Sequence, residues 1–305
     1  MATVTKSYRQ NNSAYWLYLF PGLIGFVLVV GIPFLMNIGI SFTKWRGIRM
    51  PTFIGLENYE RLITDGAFWM SLQHTLFFVV AMAVVPTIIS LIVASVLFDY
   101  VSARFGQQMS SFFRAGYYLP QILPISVAGV LWGWILNPHG VLNLILDATG
   151  LGALSSNWLG DQTLAIYSLG FVMVWLQIGY SLVIFMAGLA RVDPALYEAA
   201  ELDGAGAAQR FWYVTIPMLR PEIFVIGLTT TIAALKVFAP VYVMTNGGPD
   251  NATLVPSFFS YYHFFSTVRI GYGAAIATAQ TAITIVLALI FLWVQARQTE
   301  EAAHD

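Results

Sequence analysis

The stretch QTLAIYSLGFVMVWLQIGYSLVIFMAGLA, residues 162–190, holds no charged side chain and is closed off by Asp161 on one side and Arg191 on the other. A charge at mid-bilayer costs about 2.5–3.5 kcal/mol, so a long gap between charges marks a segment lodged in hydrocarbon. At 29 residues this one exceeds the roughly 20 that a helix needs to cross. The same gap recurs at residues 10–43, 66–98, 115–146 and 270–296, and at 223–249, where only Lys236 interrupts it. A further gap at 251–268 is 18 residues long and carries Asn251, Pro256, Ser257, Tyr261, Tyr262 and His263, which suits a membrane interface. The expectation is an all-α integral membrane protein of one domain with six transmembrane helices, at about 14–40, 68–98, 112–136, 163–190, 223–245 and 274–296.

The composition agrees. Of 305 residues 58% are hydrophobic and 10% charged, against ~25% charged in a soluble domain, and the mean hydropathy is +0.72. A formal net charge of -1 excludes a nucleic-acid partner, which needs a basic stripe. With no cysteine and four scattered histidines, thiol chemistry and a metal cluster have no residues to use. An even number of spans puts both termini on one side. Lys6, Arg9, Arg104, Arg114, Arg191, Arg210, Arg220 and Arg297 fall there, against Lys44, Arg46, Arg49, Arg61 and Arg269 opposite, so the termini are expected in the cytoplasm. The outer loops are turn-rich and expected to be ordered.

One polar segment interrupts this pattern, the loop 191–222. Asp193 can cap a helix whose first position is Pro194, because proline lacks an amide that a helix start leaves unpaired anyway. The helix is alanine-rich, carries Glu198 and Glu201 about one turn apart, and runs into Gly204 and Gly206, which permit a sharp break. A second short helix should then end at Ile216-Pro217. A helix, turn and helix of this kind suits a groove on a soluble partner; an amphipathic connector lying on the bilayer is the alternative.

The run Glu198-Ala199-Ala200, then Glu201, Asp203 and Gly204, then Val214-Thr215-Ile216-Pro217, resembles the EAA loop of permease subunits in bacterial ABC importers. Val214 and Ile216 stand where isoleucine and leucine are usual. Asp203-Gly204-Ala205 and Thr245-Asn246-Gly247-Gly248-Pro249-Asp250 are similar to the carbohydrate branch, of the maltose and glycerol-phosphate type, and the resemblance extends from Leu119-Pro120 to Gln280. It implies a six-helix permease of the bacterial inner membrane that pairs with a second, homologous permease, two ATPase subunits and an extracytoplasmic sugar-binding protein. Glu198, Ala199, Ala200, Glu201, Asp203, Gly204, Ile216 and Pro217 would then form the ATPase-coupling loop, with the three acids facing basic groups of the ATPase. No cofactor is expected on this chain, and ATP-Mg would sit on the partner ATPases. Consistently, Lys6, Lys44 and Lys236 are the only lysines and none follows a glycine, so no phosphate-binding loop can be built.

A neutral sugar needs converging hydrogen-bonding groups and an aromatic platform. Gln121, Gln177, Tyr180, Thr230 and Gln280 are the polar side chains available inside the spans, with Gln177 and Tyr180 three residues apart on one helix face. By resemblance, Gln121, Gln177, Tyr180 and Thr230 fall where the maltose-type permease lines its sugar site, but that permease's asparagines are not matched. Polar glue between packed helices is the competing role. Lys236, with 13 charge-free residues on either side, must face water, a cavity or a partner, and could bond sugar hydroxyls or attract an anionic cargo such as a sugar phosphate. A secondary carrier would need carboxylates inside its spans, and none of the 15 acids lies in the six gaps. A membrane enzyme would need more than His139 and Asp147 at one face.

Overall fold

The computed structural model describes residues 12–304. Lys6 and Arg9, used in the charge count, lie outside them. The chain opens with α1, which runs from Asn12–Phe26 through Val27–Gly31 to Ile32–Ser41. A small hairpin follows, β1 (Thr43–Lys44) against β2 (Thr52–Phe53), antiparallel with Thr43 opposite Phe53. Then come α2 (Glu57–Thr64), α3 (Gly66–Val101), α4 (Gln107–Ile122), α5 (Ile125–Ile135), α6 (Val141–Ala148), α7 (Leu164–Leu189), α8 (Pro194–Leu202), α9 (Ala207–Met218), α10 (Arg220–Leu235), α11 (Pro256–Tyr261) and α12 (Ile270–His304).

Among the described residues four helices, α1, α3, α7 and α12, are each long and apolar enough to cross a membrane. The pairs α4 with α5 and α9 with α10 bring the total to six if each counts as one span. Both pairs are bent. The expected span 112–136 is broken into α4 and α5 at an angle of 95°. Pro124 causes the break: it has no amide to continue the ladder and forces Leu123 into an extended backbone, ψ 131°. The expected span 223–245 also stops short. Its helix ends at Leu235, the chain unwinds at Lys236–Phe238, and helix resumes at Ala239 with Pro240 in the first turn, running through the π-helical Val241–Thr245. Lys236 therefore sits at a helix end and is exposed, not at the middle of a continuous span.

The buried centre is α7. Three of its glycines, Gly170, Gly179 and Gly188, are notches into which other helices press. A Cβ at Gly170 would lie 2.8 Å from the Phe77 ring of α3, one at Gly179 2.4 Å from the Tyr117 carbonyl oxygen of α4, and one at Gly188 2.6 Å from Leu219, at the joint of α9 and α10. Small residues let helix backbones approach where lipid gives no hydrophobic drive for association. Ser90 of α3 adds a hydroxyl donated to the Ile178 carbonyl, 2.8 Å. At the opposite edge Asn37 of α1 donates to Thr278 of α12, 3.0 Å.

Gly179→Ala introduces a methyl group against backbone that cannot turn aside, and the expected loss is roughly 1–3 kcal/mol. Melting of the purified chain in detergent checks this. Gly22→Ala, with nothing within 4 Å of the added Cβ, should leave Tm unchanged; equal melting of both variants would contradict the notch.

Candidate functional site

The polar segment between α7 and α10 is the first candidate. Asp193 caps α8 by accepting from the Ala195 amide at 2.9 Å, and Pro194 holds the first helical position. The other end closes on Gly204, whose φ of +81° is open to glycine without strain. The Gly204 amide donates to the Glu201 carbonyl (3.0 Å) and the Ala205 amide to the Ala200 carbonyl (2.9 Å), the double bond of a glycine-terminated helix. At the start of α9 the Gly206 amide donates to the Gln209 side chain, 2.9 Å.

Two contacts fold α8 back onto α9. The hydroxyls of Tyr197 and Thr215 are 3.0 Å apart, and burial pushes the Tyr197 phenol above its ordinary pKa, with the Thr215 bond opposing more weakly. Arg210 pairs with Glu201 at 3.1 Å. The Glu201 carboxylate is thus engaged within the segment, whereas sequence reasoning offered it, with Glu198 and Asp203, to an outside partner. Glu198 and Asp203 form no ion pair among the described residues and are exposed, as are Ala199 and Gly204; Ala200, Ile216 and Pro217 are half-buried. Ile216 and Phe211 pack on a buried cluster with Leu97, Leu189 and Leu219, which seats the segment on the ends of α3, α7 and α10. The outer surface is apolar as well as acidic: Leu202 is 89% and Tyr213 80% exposed.

The segment leaves and re-enters the helix bundle at one ion pair. Arg191 follows the end of α7, Glu222 lies in the first turn of α10, and their side chains are in contact. Glu222 is buried and Arg191 exposed, and the second carboxylate oxygen of Glu222 has no partner within the chain.

The second candidate is the set of intramembrane polar residues, which the structure only partly brings together. The hydroxyls of Tyr180 (α7) and Thr229 (α10) lie 3.1 Å apart. Thr229 donates to the Val225 carbonyl at 2.7 Å, so Tyr180 is the donor to Thr229. Thr230, the residue singled out from sequence, is 1% exposed and its hydroxyl is spent on the Ile226 carbonyl at 2.6 Å. Its neighbour Thr229 holds the exposed position; one helical step of about 100° separates them, and nothing in three consecutive threonines reveals which faces outward. Gln121 and Gln177 are half-buried, and neither makes a side-chain hydrogen bond among the described residues. Gln280 is structural: its amide donates to the Leu235 carbonyl (2.6 Å) and to Ser257 (2.7 Å), satisfying the broken end of α10. Trp132 and Trp175 pack edge to face at 5.4 Å, whereas Trp134 is exposed.

Against known proteins, the family described as binding-protein-dependent transport system inner membrane component matches residues 92–300. The probable ABC transporter permease protein YurN of Bacillus subtilis (strain 168) is 37% identical over 284 residues, 92% of this chain and 96% of YurN. The probable starch degradation products transport system permease protein AmyD of Thermoanaerobacterium thermosulfurigenes is 33% identical over 302 residues, 98% of this chain and all of AmyD. A chain of a bacterial alginate ABC transporter, solved in complex with an alginate pentasaccharide-bound periplasmic protein, has the same fold, with a TM-score of 0.79 over 94% of this chain and 96% of that one at 20% identity.

Arg191→Ala strands a buried carboxylate and should lower Tm in detergent, since an unpaired buried charge costs more than the pair contributes. Arg191→Ala with Glu222→Met removes both charges and should recover most of the loss. A double variant as unstable as the single one would contradict the clamp.

Proposed function

The chain belongs to the binding-protein-dependent transport system inner membrane component family, and from that membership we propose that it is the permease subunit of a bacterial ATP-driven sugar importer. The naming of AmyD for starch degradation products and the carbohydrate-type motifs at residues 203–205 and 245–250 support sugar as cargo. It forms half of the translocation passage and pairs with a second permease. Two ATPase subunits, which hold ATP-Mg, and an extracytoplasmic sugar-binding protein complete the assembly. Both termini and the segment 191–222 face the cytoplasm.

The observation that carries this reading is the segment itself: an exposed helix–turn–helix, internally tied by Tyr197–Thr215 and Glu201–Arg210, and clamped at its base by Arg191–Glu222. Closure of the ATPases pushes on its free acidic and apolar surface, Glu198, Leu202, Asp203 and Tyr213, and the push reaches α7 and α10 through the clamp. Rigid-body rocking of those helices then switches access to the passage. Tyr180 and Thr229 sit on the two helices so moved, with Gln177 three residues away on α7 and Gln121 on the neighbouring α4. Lys236, exposed at the end of α10 and without an ion pair among the described residues, would hold a hydroxyl or an anionic substituent of the cargo.

Reconstitution with the partner subunits tests this. Glu198→Lys is expected to abolish ATP-driven uptake with the chain still inserted and assembled, and Tyr180→Ala and Lys236→Ala to slow cargo movement with ATPase binding intact. Unaltered uptake in Glu198→Lys, or accumulation of solute by this chain alone in liposomes, would contradict the proposal.

A further inference from the structure

At the end of the molecule away from the coupling segment, four cations surround one cleft. α3 establishes the two ends: it begins beside Asp65, which accepts from Tyr272 at 2.6 Å, and finishes at Leu97 and Val101, packed with Phe211 and Ile216 of the coupling segment. The cleft, of about 280 Å³, lies at the Asp65 end and is lined by Lys44, Arg46, Arg61 and Arg269, with Trp45 and Tyr272 among its walls. Glu57 is the one carboxylate in the lining. None of the four cations forms an ion pair among the described residues; Arg61 lies over the Tyr272 ring at 4.3 Å. His263, buried nearby, is held down to about 4, chiefly by burial, with the charges of Arg61 and Arg269 adding to the effect and Asp65 opposing it.

The cleft also has a definite depth in the membrane. Lys44 is three residues past the end of α1 and Arg269 immediately precedes α12. These two helices are bonded to each other through Asn37, and the chain is stitched again above them by the Ile270 amide donating to the Trp45 carbonyl at 3.0 Å. The cations therefore stand where two adjacent helices leave hydrocarbon, which is headgroup level, and tryptophan and tyrosine favour the same level. Along α1, residues 18–30 and 32–36 are exposed in this chain, whereas Asn37 to Ser41 next to the cleft pack towards α12.

We propose that this cleft binds the phosphate of an anionic phospholipid in the leaflet opposite the coupling segment. Guanidinium groups bind phosphate in bidentate fashion, and basic pockets between membrane helices hold acidic headgroups. Four cations in the lining, against Glu57 there and Asp65 behind Tyr272, leave a positive balance that selects a headgroup of net negative charge. The site gives a reason for Lys44, Arg46, Arg61 and Arg269 to stand on the face where charge bias predicts few basic residues.

The test uses the full chain in its transporter assembly, placed in nanodiscs of mixed phosphatidylglycerol and phosphatidylcholine and read by native mass spectrometry during delipidation. Wild type is expected to retain phosphatidylglycerol over phosphatidylcholine, to release it as salt rises, and to lose about fivefold in that preference for each cation removed by Arg46→Gln or Arg269→Gln. Arg46→Lys should keep most of it, and a wild-type salt titration does not depend on any variant folding. Equal retention of the two lipids, or undiminished preference when Arg46→Gln and Arg269→Gln are combined, would overturn the proposal. So would saturation of the cleft by inorganic phosphate with no lipid preference. Loss of binding-protein capture in the variants with lipid retention unchanged would overturn it too, making the face a protein-docking surface.

Discussion

The structure depends on how closely other helices can approach α7. In a bilayer, lipid tails compete equally with side chains for apolar contact, so helices associate where small residues let a neighbouring backbone, as at Gly179, or a large side chain, as at Gly170 and Gly188, pack close. α7 offers a glycine to each of three neighbours: Gly170 to Phe77 of α3, Gly179 to the Tyr117 carbonyl of α4, Gly188 to Leu219 at the head of α10. Everything assigned a function hangs from that post. Gln177 and Tyr180 flank its middle notch, and the coupling segment begins two residues after its last turn.

This geometry divides the intramembrane polar groups by whether packing has already used them. Thr230 donates to its own helix and Gln280 closes the broken end of α10, so both stabilise the bundle. Tyr180 and Thr229, linked across two helices, and the unbonded amides of Gln121 and Gln177 keep capacity for a ligand. The same sorting applies to the coupling segment. Glu201 is held by Arg210 and stiffens the turn, whereas Glu198 and Asp203 remain open to a partner.

Much of this was legible in the sequence because charge is so costly in hydrocarbon. The gaps between charged residues located α1, α3, α7 and α12, and Asp193-Pro194 with Gly204 marked the start and end of α8. The breaks were harder. Pro124 and the unwound Lys236–Phe238 lie inside long apolar runs, and a hydropathy gap is silent about hydrogen bonding along the backbone. It therefore joined α4 to α5 and carried α10 through Lys236. The facing of individual residues was harder still: Thr229 and Thr230 differ by one step around a helix, and only the packing of Ile226 and its neighbours separates them. Glu222 lies at the edge of a gap, where an exposed charge is the ordinary expectation; its burial against Arg191 is a tertiary fact.

The central claim is that the coupling segment is a stiff extension of α7 and α10. The chain contains no cysteine, so paired spin labels can be placed without competition, at Ala208→Cys on the segment and Val225→Cys on α10, both exposed. In the assembled, reconstituted transporter the account predicts one narrow distance between the labels, the same with and without ATP, broadened when Glu222→Gln weakens the clamp. A wild-type distance that changes with nucleotide would mean that the segment swings on a loose joint, and would contradict the account.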